Sequence, residues 1–238
     1  MVNLPTKDVF SRAELIAALK EEHPDYQAND FSWLLGQLIK EKQIFHLGHD
    51  RYSRREPLVF APREVEGLTT LRSLLLKQHY RLPFVVFSST LLNEGLNELL
   101  AHDTWIVETP KGGMETLFAF LKERCPHQNV LFNPTGEDRL HYAKENTLVL
   151  FPLATRSPLY ARDGKISLEK LIVDVFADRG LREFFSLDEV GELSLTFLRH
   201  YSYDERVLLS YAKRRGVEAE VKAMIAASGC AAIKFKAE

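Results

Sequence analysis

The chain has 238 residues, of which 45% are hydrophobic and 27% charged, so it can bury the core of one large or two modest domains. Its net charge of −2 excludes the uniformly basic surface of many nucleic-acid-binding proteins. The two cysteines, Cys125 and Cys230, lack the spacing of metal ligands. We expect both to be free thiols in a reducing compartment.

Targeting and membrane segments are not expected. No apolar run approaches the roughly 18 residues that a membrane-spanning helix needs. The first ten residues carry neither the charged segment nor the apolar segment of a secretory signal. A cytoplasmic location without a membrane partner is therefore expected.

The chain opens with a predicted helix over residues 11–23. Ser11 and Glu14 have the spacing of a capping box, and Pro24 ends the helix. A β-hairpin is predicted further on, because Ile44, Phe45 and Leu47 precede the turn-forming residues 48–50 and a short return strand at 51–52.

A second helix is predicted between these elements, and either Asn29 or Asp30 can cap its start. Its apolar residues recur with a helical period and predict one buried face: Phe31, Leu34, Leu35, Leu38 and Ile39. The face turned away from the core carries Trp33, Gly36, Gln37 and Lys40. Two helices followed by a two-stranded wing form a winged helix-turn-helix, whose second helix reads the major groove of DNA.

Local charge favours DNA binding by this segment more than global charge does. Residues 40–55 contain five basic and two acidic residues, and each neutralised phosphate adds affinity through counterion release. The alternatives are a protein–protein module with solvated cations, or a Trp33 face that packs against the rest of the chain. The predicted DNA-contacting residues are Asn29, Ser32, Trp33, Gln37, Lys40, Lys42, His49, Arg51, Arg54 and Arg55.

An extended connector is predicted at residues 54–62, which contain Pro57 and Pro62 and no helical period. It separates a DNA-binding domain at residues 1–56, expected to fold on its own, from a second domain at residues 63–238. In the second domain strands alternate with helices, and the chain then becomes helical. This pattern is typical of a mixed α/β fold with a sheet flanked by helices, although it leaves the strand order open. Strands are predicted at 84–89, 104–108, 129–132 and 147–151, and helices at 64–78, 91–100, 114–124, 167–180, 187–200, 204–215 and 217–227.

No catalytic, cofactor-binding or metal-binding motif is present, so neither an enzymatic activity nor a cofactor is expected. The nearest approach to a metal-dependent nuclease is Asp103 with Glu108 and Lys111. Pro110 lies between Glu108 and Lys111, so these two residues are not expected to share one face of a strand. The segment 110–114 contains two glycines and can present backbone N–H groups to an anion, but a tight turn explains them equally well.

Asp174 and Asp178 share a helix face with Lys170. These charges are expected to form a solvated edge with i,i+4 pairing, and the alternative is that they meet a basic partner.

The C-terminal part contains several distinctive sequence segments. Their positions are Pro152, Leu153, Pro158 and Leu159, then 168–171, Asp174 and Asp178, and finally Tyr203 and 211–216. At these positions the chain resembles the AbiEi-like antitoxins, in which a winged-helix N-terminus precedes a C-terminal domain. Together with the winged helix, the resemblance covers most of the chain, but residues 84–146 lie outside it.

The resemblance implies an antitoxin of a type IV toxin–antitoxin system that represses its own promoter by binding double-stranded DNA. Its partner would be an AbiEii-like nucleotidyltransferase toxin. Whether the toxin is bound directly, and whether the protein is a monomer or a dimer, is left open. The alternative function is an enzyme, a nuclease or nucleotide-handling domain, that its winged helix targets to DNA.

Overall fold

A computed structural model describes residues 4–48, 50–62, 65–77, 82–95, 103–135, 137–138, 146–158, 163–177 and 187–228. Within these residues the chain contains eight α-helices and two β-sheets, so the mixed α/β class predicted from the sequence is confirmed. His49, Leu159, Asp178, Gly180 and Cys230 lie outside the described residues. No described helix combines the length and the apolarity that a membrane crossing requires.

The first sheet has three antiparallel strands in the order β1-β3-β2. Strand β1 was not predicted, because three residues carry no readable period. It is held in the sheet by β3, where Phe10 lies opposite Tyr52. The elements of this part are β1 (Val9–Ser11), α1 (Arg12–Glu22), α2 (Ala28–Lys40), β2 (Phe45–Gly48) and β3 (Arg51–Ser53).

The starts of both helices follow from their side chains. In α1 the predicted capping box is confirmed, with Glu14 N donating to Ser11 Oγ at 3.1 Å and Ser11 N donating to Glu14 Oε2 at 2.8 Å. Helix α2 starts earlier than predicted, because Gln27 is its N-cap. Asp30 is the third helical residue and accepts a hydrogen bond from Gln27 N at 2.8 Å.

The apolar face of α2 packs on the first sheet and on α1. Phe31 and Leu38 are buried there, and Leu34 and Leu35 are partly buried against the same core. Ile39 was predicted to belong to this face but is 39% exposed, so the prediction is wrong for this residue. The core that these residues join consists of Phe10, Leu15, Leu19, Ile44 and Tyr52.

The second sheet has four strands in the order β4-β5-β7-β6. Strand β7 is parallel to both β5 and β6, and β4 is antiparallel to β5. Side chains alternate between its two faces, as strand geometry requires. Its strands are β4 (Val85–Ser88), β5 (Thr104–Thr109), β6 (Asn129–Phe132) and β7 (Thr147–Pro152).

Helices cover both faces of this sheet. On one face Val86, Val107 and Leu148 pack with α3 and α4, and on the other Ile106 and Val149 pack with the four C-terminal helices. The predicted helix at 91–100 is instead a 3-10 helix, Ser89–Gly95, as far as the described residues extend. The helices are α3 (Glu66–Lys77), α4 (Met114–Arg124), α5 (Leu168–Ala177), α6 (Leu187–His200), α7 (Glu205–Arg215) and α8 (Glu218–Ala227).

The connector contains no helix and lies against the end of α6. Leu58 forms a parallel bridge with Tyr201. Its N–H donates to the His200 carbonyl at 3.1 Å, and its carbonyl accepts from Ser202 N at 2.9 Å. The segment between the two sheets is therefore anchored to the C-terminal helices.

Candidate nucleic-acid interface

One face of α2 is uncovered. Asn29, Trp33, Gly36 and Lys40 follow one another at three- and four-residue spacing and are all exposed. Trp33 is 63% exposed, so the alternative in which it packs against the rest of the chain is wrong. Ser32 is also exposed, and Gln37 is partly exposed beside this face. These six residues are called the α2 face below.

Gly36 lies at the middle of the α2 face. A Cβ atom added there would meet no atom within 4 Å among the described residues, so internal packing does not require a glycine. Glycine inside a helix costs about 1 kcal/mol of stability relative to alanine. The missing side chain leaves the helix backbone open to close approach from outside.

Arg12 adds a cation that sequence reasoning missed. Its Nη2 atom donates to Ser32 Oγ at 3.3 Å, so the start of α1 lies beside the α2 face. Its backbone N–H donates to the Asp50 carbonyl at 2.9 Å, which also places it beside the hairpin turn. Arg12 was not predicted because it is far from Asp50 in the sequence. Only folding brings the two residues together.

Four of the predicted cations are exposed, two at the end of α2 and two after the hairpin. Lys40 and Lys42 are exposed, and their side chains have no partner among the described residues. Arg54 Nη1 donates to the Pro5 carbonyl at 3.5 Å. The Arg55 side chain is 81% exposed and lies 3.5 Å from Asp8, a pairing that solvent weakens. These four side chains can reach a polyanion.

Arg51 is not one of them. It was predicted to reach DNA from the hairpin, but it is 1% exposed, so the expected exposure is wrong. Its guanidinium lies 4.6 Å from the centre of the Tyr203 ring, 3.7 Å from Glu205 Oε2 and 3.4 Å from Ser228 Oγ. Strand β3 is central in its sheet, and its Arg51 side chain faces the C-terminal helices rather than solvent.

A buried charged cluster lies in the second part of the chain. Lys170 Nζ pairs with Asp174 and lies 2.6 Å from Glu108 Oε2. Tyr211 Oη donates to Asp174 Oδ1 at 2.8 Å, and Arg215 Nη1 lies 3.3 Å from the same oxygen. The predicted solvated edge is therefore wrong. Other elements cover α5 on every side, so even its charged residues are buried.

Each charged group of the cluster has an opposite charge beside it. Burial alone would lower the pKa of Lys170, but Asp174 and Glu108 outweigh it, and the pKa is raised above its usual value. Burial and the Asp174 carboxylate raise the pKa of Tyr211 to about 12. At neutral pH the lysine is therefore charged and the tyrosine is protonated. The cluster links β5, α5 and α7.

The acids considered for a nuclease site are not brought together. Asp103 precedes β5 and Glu108 lies near its end, about 16 Å further along the strand. Asp103 accepts hydrogen bonds from Ser88 Oγ and, at 3.3 Å, from Trp105 Nε1. No group of three or more potential metal ligands occurs in the described part of the chain.

Most of the α2 face, the hairpin and the buried cluster lie within residues 30–230. This stretch matches a model described as a family of unknown function, DUF6577. The chain belongs to that family. No curated protein matches the sequence.

Proposed function

We propose that residues 1–56 form a winged helix-turn-helix domain that binds double-stranded DNA. Helix α2 is the recognition helix, and the hairpin of β2 and β3 is the wing. The observation that carries this proposal is Trp33, a large aromatic side chain that is 63% exposed on the α2 face. Tryptophan is enriched at binding interfaces, because its ring can bury a large apolar area while its N–H group donates a hydrogen bond.

The dimensions of α2 suit the major groove. Its 13 residues extend over about 20 Å, and the major groove is about 12 Å wide and accepts an α-helix. Gln37 and Asn29 carry amides that can bond the N6 and N7 atoms of adenine in a bidentate manner. Gly36 lets the helix backbone approach the floor or the wall of the groove.

Five cations, on α1, at the end of α2 and after the hairpin, are proposed to contact phosphates. Arg12 lies on the side of the helix start, Lys40 and Lys42 lie at the helix end, and Arg54 and Arg55 follow the hairpin. Phosphate contacts position a protein on the duplex, and their number sets the salt dependence of binding. This local arrangement accounts for DNA binding by a chain whose net charge is −2.

In biological terms, the protein is proposed to be a cytoplasmic autoregulator and antitoxin. It would repress its own promoter, and its α/β part would oppose a nucleotidyltransferase toxin. The antitoxin role is supported by the resemblance of the C-terminal sequence segments to those of the AbiEi-like antitoxins. No enzymatic activity is proposed, because Glu108 is paired with Lys170 and is far from Asp103. A nucleotidyltransferase reading frame beside the gene would support this assignment.

The proposal is tested by titrating the full chain into labelled duplex DNA taken from upstream of its own reading frame, at two salt concentrations. Binding should weaken steeply as salt rises, because phosphate contacts release counterions. Trp33→Ala should weaken binding by roughly tenfold, as loss of a central aromatic contact does, without lowering the melting temperature.

The matched control is Phe132→Ala, which removes another exposed aromatic side chain at the end of β6. This variant should bind DNA like the unmodified protein. Salt-independent binding, or equal affinities for the Trp33 and Phe132 variants, would contradict the proposed surface.

A further inference from the structure

An open cleft of about 570 Å³ lies at one edge of the four-stranded sheet, and no proposed DNA contact belongs to it. Pro110 and Lys111 follow the end of β5, and Pro152 ends β7. These strands are parallel, so their carboxyl ends meet at the same edge. Ligands of α/β sheets bind in crevices outside the carboxyl ends of the strands.

The cleft is positively charged. Lys111 and Arg156 both line it and are exposed, and neither side chain has a partner in the part of the chain that the structure describes. The described lining contains no acidic residue. Arg214 adds a third cation nearby, because its Nη2 donates to the Arg156 carbonyl at 3.1 Å while its Nη1 donates to Ser210 Oγ at 2.7 Å.

The turn that carries Arg156 is held in an unusual conformation. Ser157 N donates to the Ala154 carbonyl at 3.2 Å and closes the turn. Arg156 is its third residue and has a φ of 55°, a position at which type II turns carry glycine. A left-handed residue other than glycine is strained, and such strain concentrates at ligand-binding sites. Here the residue in the strained conformation is Arg156, a cation that lines the cleft.

A buried hydroxyl oxygen also belongs to the lining. Ser157 Oγ is shielded from solvent and has no hydrogen-bond partner among the described residues. Buried polar atoms in folded proteins are normally hydrogen-bonded, so a bound water molecule is expected at this oxygen, in the wall of the cleft. Thr155 supplies a second hydroxyl group to the cleft.

We propose that this cleft binds a nucleoside phosphate. Lys111 and Arg156 pair with the phosphate oxygens, and the exposed Thr155 hydroxyl donates to one of them. The cleft is much larger than a phosphate ion, and its remaining walls are apolar and include Pro110 and Pro152. Those walls accept the flat base and the sugar. A volume of about 570 Å³ lies within the range of small-molecule sites.

The test is calorimetric titration of the full chain with ATP and with GTP, without divalent ions, so that the cations of the protein are the positive charges that phosphate meets. At least one nucleotide should bind, and adenosine and inorganic phosphate should each bind more weakly than it does. Lys111→Ala should weaken the binding by roughly tenfold, as the loss of a charge-assisted contact does. Thr155→Ala should weaken it several-fold.

Arg156→Gly separates binding from folding. Glycine adopts positive φ freely and retains the carbonyl that Arg214 bonds, so this variant should not melt markedly earlier, yet it should lose roughly tenfold in affinity. The matched control is Lys122→Ala, which removes a lysine from the far end of α4 and should bind like the unmodified protein. Trp33→Ala should also leave nucleotide affinity unchanged, because this inference is independent of the DNA-binding surface.

Absence of nucleotide binding at millimolar concentration would overturn the proposal. So would binding that the Lys111 and Arg156 variants leave unchanged. If neither nucleotide binds but Lys111→Ala abolishes binding of duplex DNA, the cleft is a nucleic-acid contact and the proposed ligand is wrong.

Discussion

Lys170 holds two carboxylates inside the protein. It is 1% exposed and pairs with both Glu108 and Asp174, which are also buried. A buried charge without its partner is expensive, because the protein interior cannot replace the water that solvated it. The lysine therefore compensates two carboxylates that come from distant parts of the chain and lie in the core.

Lys170→Met should accordingly destabilise the protein by about 3–5 kcal/mol, since it removes the buried ammonium group that both carboxylates contact, although Asp174 keeps its contact with Arg215. Denaturant unfolding at neutral pH measures this loss. Lys122→Met is the matched control, because Lys122 is exposed on α4, and its substitution should change the stability by less than about 0.5 kcal/mol. Equal stabilities for the two variants would show that the cluster contributes nothing to folding.

The sequence shows that Lys170 and Asp174 are four residues apart, but it does not predict that their side chains are buried. Charges four residues apart look the same on a solvated helix and on a covered one. The information that decides between them lies in Glu108 on β5 and Tyr211 on α7, whose contacts with α5 form only in the folded chain. That Asp174 and Lys170 are neighbours could be predicted from their spacing in the sequence. Their burial could not, because it depends on contacts with distant segments.

At the scale of elements, most helices and strands could be predicted because their periodicity is local. The four strands of the large sheet and the capping box of α1 are where the sequence places them. Strand β1 was missed, since its only reason to be extended is pairing with β3. The order β4-β5-β7-β6 was also out of reach, because strand neighbours are chosen by packing between distant segments. The α2 face could be predicted, whereas its neighbour Arg12 could not.

Gly36→Ala tests whether the α2 face is approached closely. Alanine should stabilise the protein by about 1 kcal/mol, because the added methyl group meets open space and alanine favours the helix. The same methyl group should weaken binding of promoter DNA, since it stands between the helix backbone and the duplex. Thermal melting and DNA titration of the full chain measure the two effects.

Gly191→Ala in α6 is the matched control. An added Cβ there would make only an ordinary contact, 3.9 Å from Met224 Sδ, so a similar gain in stability is expected without a change in DNA affinity. If Gly36→Ala stabilises the protein and binds DNA as tightly as before, the middle of the α2 face lies away from the duplex.

At the scale of the whole molecule, the N-terminal sheet and the C-terminal helices are joined through Arg51 and Leu58. Arg51 on β3 meets Tyr203, Glu205 and Ser228, and the Leu58 backbone bonds the chain just after α6. The sequence predicted that residues 1–56 fold independently, because a linker rich in proline is typical of a domain boundary. The structure gives this linker backbone hydrogen bonds, and it gives Arg51 partners that an isolated N-terminal fragment would lack.

Arg51→Leu should therefore lower the free energy of unfolding of the full chain by about 1–3 kcal/mol. Leucine retains apolar contact with the Tyr203 ring but leaves Glu205, which is buried, without the cation 3.7 Å away. Arg55→Leu removes the same charge four residues later from a side chain that is 81% exposed, and it should cost less than about 0.5 kcal/mol. Denaturant unfolding of both variants decides the matter. If the two lose equal stability, Arg51 does not hold the N-terminal sheet against the C-terminal helices, and the hairpin is free to present it to DNA as the sequence first suggested.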